Sequence, residues 1–318
     1  MRILITGGFG YLGGRLAQAL EGKAGNEIRL GSRSKREPPE WLSNAEPVRT
    51  QWDSADALGE ICSGVDSVVH LAGMNAQQCA ADPSTTVMFR RVATSRLLEA
   101  AARQGVRRFI YVSTAQVYAS PLVGKITEDT QPTSTHAYAV SHRAGEDAVR
   151  GATGAGRMGR IVLRLSNALG APASPDADCW TLLTNDLCRQ AVSTGRMVLR
   201  SSGLQHRDFV PLAGVCDAIA HVLQLPAPGN GAEVFNLGGE WAPTVWEIAC
   251  LVRKRCLELL RFEPTLIRRS PKAGEAPRAL DYRIDALRRT GYESSRDSVQ
   301  EIDQLLEFCD ESFGRRYT

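Results

Sequence analysis

The chain has 318 residues, 43% of them hydrophobic, and its 38 basic and 35 acidic residues leave a net charge of only +3. This length and composition suit one large or two modest globular domains. The basic residues fall in scattered doublets and form no stripe, which argues against a nucleic-acid partner. No run of about 18 apolar residues appears, so we expect no membrane span. The first residues resemble a strand and not a secretion signal, which indicates a cytoplasmic protein.

Strand-like and helix-like segments alternate along the first half of the chain. Residues 3–6 form a β-branched run, and leucines then recur at helical spacing up to residue 20. We predict further strands at 27–30, 65–71, 109–112 and 161–165, and helices at 55–62, up to about residue 103 and from Tyr138 onward. Nearly continuous apolar strands alternating with helices indicate a doubly wound α/β fold, with a parallel sheet covered on both faces.

The rhythm loosens after Asn167, where prolines and short strands precede a predicted helix at 244–260. A strand-like segment at 234–237 indicates a return to the main sheet. We therefore predict a sheet domain formed by residues 1–167 and 208–237, and a smaller substrate-binding domain formed by residues 168–207 and 238–318. Eight cysteines without CxxC spacing or histidine pairing are expected to be reduced and mostly buried, with no disulfide or metal site.

A glycine-rich loop follows the first predicted strand and opens the first predicted helix. It contains Gly7, Gly10, Tyr11, Leu12 and Gly13, and it satisfies both GxGxxG and GxxGxxG spacing. Glycines at these positions allow a tight turn and a close backbone approach to a pyrophosphate, with a helix amino terminus aimed at its charge. The loop therefore predicts a Rossmann-type dinucleotide site in the sheet domain.

The end of the second predicted strand selects between the two nicotinamide dinucleotides. An acidic residue there usually binds the adenosine ribose of NAD, but this chain has Ser32 and Arg33, followed by further cations. Cations attract a 2′-phosphate. The sequence thus favours NADP as cofactor, with NAD as the alternative.

A series of motifs in a fixed order runs through nearly the whole chain. The series comprises the glycine loop, Asp53, His70-Leu71-Ala72, the segment 112–118, the segment 138–146, Arg164-Leu165-Ser166-Asn167, Arg207-Asp208-Phe209-Val210, Phe235-Asn236-Leu237-Gly238, and Asp285 before Gly291-Tyr292. Taken together, they resemble the extended short-chain dehydrogenase/reductase family of nucleotide-sugar epimerases, dehydratases and ketoreductases.

The resemblance implies roles for the matched residues. Thr114 matches the residue that binds the reacting oxygen, and Tyr138 matches the proton donor or acceptor. Asn167 is expected to contact the sugar and Arg207 the nucleotide diphosphate. The chemistry agrees, because hydride transfer at a sugar carbon creates or consumes an alkoxide, which a phenol and a hydroxyl must face.

Further roles implied by the resemblance concern the cofactor and the assembly. Asp53, Leu71 and Ala72 are expected to contact the cofactor, as are Tyr138 and His142. A homodimer is expected to form through the helix ending near residue 103 and the helix that starts at Tyr138.

Three departures from the family pattern concern the chemistry. His142 stands where the family has a lysine, Arg90 where it has an asparagine, and Ala213-Gly214 where it has two aspartates. The lysine holds the nicotinamide ribose and stabilises a tyrosinate. A histidine of ordinary pKa, about 6.5, is charged only about a quarter of the time at neutral pH. His142 is therefore either a working substitute that titrates between about pH 6 and 7, or a relic in a slow or silent protein.

The leading functional hypothesis is a 4-keto reductase that uses NADPH and acts on a nucleotide-linked sugar. A reductase starts from the neutral phenol, so losing the lysine harms it less than it harms an epimerase, which starts by oxidising its substrate. A nucleotide-sugar epimerase of the same family is the first alternative. A catalytically weak dinucleotide-binding protein is the second, whereas a steroid-like substrate would have no use for Arg207.

Overall fold

The structure is a computed structural model that describes residues 1–21, 23, 25–153, 158–226, 231–294 and 296–314. Its strands are β1 (Arg2–Thr6), β2 (Glu27–Ser32), β3 (Glu46–Arg49), β4 (Ser67–His70), β5 (Arg108–Thr114), β6 (Gly124–Ile126), β7 (Gly159–Leu165), β8 (Asn167–Leu169), β9 (Arg196–Val198), β10 (Phe209–Pro211), β11 (Ala232–Leu237), β12 (Thr265–Ile267) and β13 (Leu280–Tyr282). Its α-helices are α1 (Tyr11–Glu21), α2 (Ala55–Cys62), α3 (Ala76–Ala81), α4 (Pro83–Arg103), α5 (Ala137–Arg150), α6 (Leu183–Thr194), α7 (Leu212–Val222), α8 (Val245–Leu260), α9 (Asp285–Arg288) and α10 (Ser298–Phe313).

The main sheet has seven parallel strands in the order β11-β7-β5-β4-β1-β2-β3, which confirms the predicted doubly wound fold. Strand β1 lies inside the sheet. Strands β2 and β3 lie on one side of it, and β4, β5, β7 and β11 follow on the other side. The order therefore reverses between β1 and β4, where Thr6 lies opposite His70. In such sheets a crevice opens at this switch point, at the carboxyl ends of the strands.

Alternating side chains of β1 enter the two layers that cover the sheet. Ile3 and Ile5 pack into one apolar cluster with α1 and α7, whereas Leu4 packs into the opposite cluster with α2 and α4. All three side chains are fully buried. A strand that is apolar on both faces is what a parallel sheet covered by helices requires.

A separate apolar cluster lies among α6, α8 and α10, three helices that fall within the predicted smaller domain. One part of the predicted second segment packs elsewhere: Ile284, Leu287 and Tyr292 join the cluster that covers the sheet. The Tyr292 hydroxyl donates to the Gly214 carbonyl at 3.0 Å, so the position that departs from the family's aspartates docks this segment onto α7. The division into two domains otherwise stays a prediction.

The predicted helix at 244–260 is confirmed, with Thr244 as its capping residue. The Thr244 hydroxyl accepts from the Glu247 backbone N–H, and the Glu247 carboxylate accepts in return from the Thr244 N–H, a reciprocal cap that fixes the helix start. Seven of the eight cysteines are buried and Cys250 is partly buried, as expected for small apolar side chains. Across the described ranges, no helix combines the length and apolar character needed to cross a bilayer.

Candidate active site

The glycine loop between β1 and α1 forms a cradle at the switch point. Gly7 has a φ of 71°, a left-handed conformation that favours glycine. A side chain at Gly13 would overlap the Gly7 carbonyl oxygen, so only glycine allows α1 to start this close to the loop. The amino terminus of α1 begins at Tyr11, beside this turn. The cradle therefore fits the pyrophosphate of a dinucleotide, as its sequence predicts.

A groove runs from the cradle along the carboxyl ends of β2 and β4. Ser32, Arg33, Leu71 and Ala72 line it beside Gly7, and their expected role in cofactor binding stays a prediction. Two aromatic side chains that sequence reasoning missed, Trp52 and Phe89, also line this groove. Their rings meet edge to face with centroids 6.2 Å apart. The two residues are 37 positions apart in the sequence, so no local pattern predicts that they contact each other.

Asp53 does not line this groove with the other expected cofactor residues. Its exposed side chain lies on a neighbouring cleft against α4, together with Met88 and Val92. Trp52, one residue earlier in the chain, lines both the groove and that cleft. The expected role of Asp53 in cofactor binding therefore stays a prediction.

The other end of the groove widens into a cavity of about 420 Å³, here called the tyrosine cavity, which is lined by Gly10, Leu12, Tyr138 and His142, among others. Tyr138 lies in the first turn of α5, and His142 lies one turn later on the same face. Their rings meet edge to face with centroids 4.5 Å apart. The structure thus brings the predicted phenol and its histidine neighbour together beside the glycine cradle.

The charge state of His142 differs from the expectation. The side chain is only 5% exposed, and within the described residues its Nδ1 atom has no hydrogen-bond partner. Burial lowers the pKa of His142 well below 6.5, and the nearby Arg90 and His70 lower it further. The structure therefore does not support a histidine that titrates near neutral pH and supplies a partial positive charge.

The sequence marks Arg90 only as a replaced asparagine and does not predict that its side chain lies beside Tyr138. Arg90 projects from α4, is 3% exposed, and lines the tyrosine cavity with Tyr138 and His142. Its Nη2 atom donates to the Met74 carbonyl at 3.2 Å. Gly73 leaves room for it, because a methyl group there would overlap the guanidinium. Burial raises the pKa of Tyr138, and the positive charge of Arg90 opposes that rise.

The end of β5 presents Ser113 and Thr114 to different surroundings. Ser113 lines the tyrosine cavity, and its hydroxyl donates to Glu146 at 2.6 Å. Glu146 forms a buried ion pair with Arg164 at 2.7 Å, which fixes the carboxylate. The Thr114 hydroxyl accepts from the backbone N–H of Gln116 at 3.3 Å and caps a short 3₁₀ turn. The structure therefore places Ser113, and not Thr114, in the cavity wall, while the predicted role of Thr114 stays untested.

Asn167 and Arg207 lie together beyond the end of β7, apart from the lining of the tyrosine cavity. The Asn167 amide donates to the Asp208 carbonyl at 2.9 Å, and β8 pairs with β10 at this point. Arg207 is half-buried, which lowers its pKa, and it forms no salt bridge to a carboxylate within the described ranges. Burial raises the pKa of Asp208 to about 7. Arg207 is thus a cation that lacks a protein counterion in the part of the chain described.

A switch-point crevice with a glycine cradle at one end and a tyrosine at the other defines a dinucleotide-binding enzyme scaffold. The model of the family described as "NAD dependent epimerase/dehydratase family" matches residues 3–238, and the chain belongs to this family. This confirms the resemblance to the extended short-chain dehydrogenases/reductases.

Individual relatives with known names share only a modest fraction of identical residues with this chain. The dTDP-glucose 4,6-dehydratase of Streptomyces niveus is 27% identical over 269 residues, which are 80% of this chain and 78% of that protein. The UDP-glucose 4-epimerase of Azospirillum brasilense is 27% identical over 266 residues, 78% of this chain and 75% of that protein. The solved structure of the UDP-glucuronic acid 4-epimerase from Bacillus cereus in complex with NAD superposes with a TM-score of 0.80 at 20% identity, over 98% of this chain and 100% of that chain.

Proposed function

We propose that this protein is an NAD-dependent epimerase that oxidises a hydroxyl carbon of a nucleotide-linked sugar and then reduces it from the opposite face. The observation that carries the proposal is the position of Tyr138, which lines the same cavity as the glycine cradle. The names of the relatives support it, because they are epimerases and dehydratases of UDP- and dTDP-linked sugars. The 4-keto reductase favoured by the sequence has no such support and stays a prediction.

Each residue of the site has a separate role in this proposed reaction. A dinucleotide bound in the groove would accept a hydride from the sugar carbon and return it. Tyr138 takes the proton of the sugar hydroxyl as the carbon is oxidised, and gives it back on reduction. Thr114, at the end of β5, donates a hydrogen bond to the reacting oxygen, because its hydroxyl accepts from Gln116 and keeps its own proton, whereas the Ser113 proton is donated to Glu146. His142 binds a ribose hydroxyl as a neutral imidazole, and Arg207 binds the diphosphate of the substrate.

The small number of acidic residues in the lining of the tyrosine cavity favours epimerisation over dehydration. Loss of water from a sugar requires a base for the carbon-bound proton and an acid for the departing hydroxyl. Of the described residues that line the tyrosine cavity, Asp178 alone is a carboxylate, and it accepts a hydrogen bond from Asn75 at 2.8 Å. The residues after Thr114 are Ala115 and Gln116, which do not ionise. An epimerase needs neither additional acid nor additional base.

NAD is proposed as the cofactor in place of the NADP favoured by the sequence. The support is the description of the family and the NAD in the Bacillus cereus epimerase structure. Arg33 is exposed where it lines the groove, and Arg36 lies over the Phe9 ring at 5.0 Å. The NADP preference depends on these cations alone, so the two dinucleotides have to be compared directly.

We propose a homodimer, working in the cytoplasm, through the outer faces of α4 and α5. Leu97 and Leu98 of α4 are buried within the chain, so they belong to its core and not to an interface. Met88 and Val92 lie one turn apart on α4 and are 58% and 37% exposed. Two exposed apolar side chains on one helix face support an interface there.

The proposal is tested by incubating the enzyme and NAD with UDP- and dTDP-linked glucose, galactose and glucuronic acid. An epimerase gives a product of unchanged mass and inverted configuration at one carbon. A dehydratase gives a product that lacks one water, and a reductase consumes the reduced cofactor when offered a 4-keto sugar. Either of the last two results, or no turnover of any of these substrates, would contradict the proposed epimerase.

A further inference from the structure

Arg90 is a buried cation with no countercharge in the part of the chain that the structure describes. Its Nε atom has no hydrogen-bond partner there, and no carboxylate approaches it within salt-bridge distance. Burying an unpaired guanidinium is costly, so natural folds seldom retain one without a use. The guanidinium lies in the wall of the tyrosine cavity, with Tyr138 and His142 as neighbours.

His142 cannot supply a positive charge to Tyr138 from its own helix. It is buried, no carboxylate in the described ranges lies within salt-bridge distance of it, and the neighbouring Arg90 disfavours a second proton on the ring. His70 is itself neutral, since burial lowers its pKa to about 3, and its nitrogens lie 2.7 Å from the Thr6 hydroxyl and 3.1 Å from the Thr94 hydroxyl. Arg33 also lines this cavity but is exposed, so the buried permanent charge beside Tyr138 belongs to Arg90.

We propose that Arg90 supplies, from helix α4, the fixed positive charge that stabilises the conjugate base of Tyr138, while His142 remains neutral. This inference rests on the proposed redox role of Tyr138. Two departures that look like separate losses in the sequence then form one exchange, in which the cation has moved from α5 to α4. Because it acts through Tyr138, Arg90 is a positioning residue and not a catalytic one.

The groups that face Tyr138 leave Arg90 as its main electrostatic partner. They are Arg90 from α4, His142 from α5 itself, Cys79 from α3, Tyr111 from β5 and Asp178 from the loop after β8, while Arg33 lines the same cavity with an exposed side chain. Burial raises the pKa of Tyr111 to about 12, so this phenol is neutral. Asp178 is held by the Asn75 amide at 2.8 Å. Of these groups, Arg90 alone favours the ionised form of Tyr138.

The proposal is tested by titrating Tyr138 directly, without substrate. The chain has seven tyrosines, so the tyrosinate absorbance of a Tyr138→Phe variant is subtracted from that of the parent protein. Arg90→Met should raise the titration midpoint of Tyr138 by about one to three pH units, the range typical for loss of a nearby opposite charge. Arg90→Lys should keep most of the original midpoint, and His142→Gln should leave it unchanged.

Two controls separate this effect from unfolding and from a general change of charge. Arg91→Met removes an exposed cation from the next position of α4 and should not move the midpoint. If Arg90→Met does not fold, Gly73→Ala provides the second test, because the added methyl displaces the guanidinium and should also raise the midpoint. The experiment needs no turnover, so it remains decisive even if every sugar substrate fails.

The proposal is overturned if the Tyr138 midpoint is the same in the parent protein and in Arg90→Met or Gly73→Ala. It is also overturned if His142→Gln raises the midpoint, because the histidine would then carry the charge. If the midpoint shifts as expected but no nucleotide sugar is turned over, the proposed function is wrong and the electrostatic role of Arg90 still holds.

Discussion

Exchanging the two unusual residues of the tyrosine cavity tests whether they depend on each other. Arg90→Asn and His142→Lys together recreate the arrangement to which the family resemblance points, with an amide on α4 and a cation on α5. The sequence alone suggests that His142→Lys should help, since it adds a permanent charge beside Tyr138. The structure predicts the opposite for the single change, because a buried Arg90 already lines the same cavity.

The size of the effect follows from the short distances in the cavity. His142 and Tyr138 have ring centroids 4.5 Å apart, and Arg90 lines the same cavity. A nearby unit charge typically changes the pKa of a group by about 1–3 units, which is about 1.4–4 kcal/mol. We therefore expect His142→Lys to lower kcat, and Arg90→Asn to lower it by about 100-fold at neutral pH, since about 2.7 kcal/mol corresponds to two factors of ten. The double variant should recover to within about tenfold of the parent.

The assay is a double-mutant cycle on kcat at neutral pH with a saturating nucleotide sugar and NAD. We expect a coupling free energy of about 2–3 kcal/mol between the two positions. Arg91→Asn in place of Arg90→Asn provides a matched control that should show no coupling to His142→Lys. Additive effects of the two changes, or an active His142→Lys single variant, would refute the reasoning.

Three further predictions follow from other parts of the molecule. NAD should bind at least as tightly as NADP by calorimetry, and Arg33→Ala should weaken NADP alone; a clear NADP preference would restore the expectation from sequence. His70 stays neutral in the fold but gains a proton below pH 6.5 when unfolded, because burial lowers its pKa to about 3. Stability present above pH 6.5 is therefore lost as the pH falls, by about 2 kcal/mol near pH 5, and urea unfolding of His70→Gln should show less of this loss. Met88→Lys should give a monomer by sedimentation, and an unchanged sedimentation coefficient would count against the α4 interface.

The sequence was informative wherever function depends on neighbouring residues. The glycine loop, the Tyr138 and His142 pair one helical turn apart, and the alternation of β1 between two cores all follow from local spacing. These features depend on the backbone periods of strand and helix, which sequence displays directly.

Other parts of the site depend on contacts between distant segments. Arg90 looks like a lost asparagine until α4 and α5 are packed against each other, and Gly73 then explains how the larger side chain fits. Trp52 and Phe89 meet only after the chain crosses the sheet. The choice between Ser113 and Thr114 depends on how the last residues of β5 turn into the 3₁₀ segment, which strand periodicity does not fix.

The most direct test of the account is to mix the enzyme and NAD with its nucleotide-sugar substrate and follow the absorbance of reduced nicotinamide within one turnover. An epimerase that oxidises and then reduces its substrate through Tyr138 predicts a transient rise and fall in the parent protein. Tyr138→Phe should bind the same ligands, as shown by calorimetry, and should give no rise. Product formation without reduced nicotinamide, or an undiminished rate in Tyr138→Phe, would contradict the central claim.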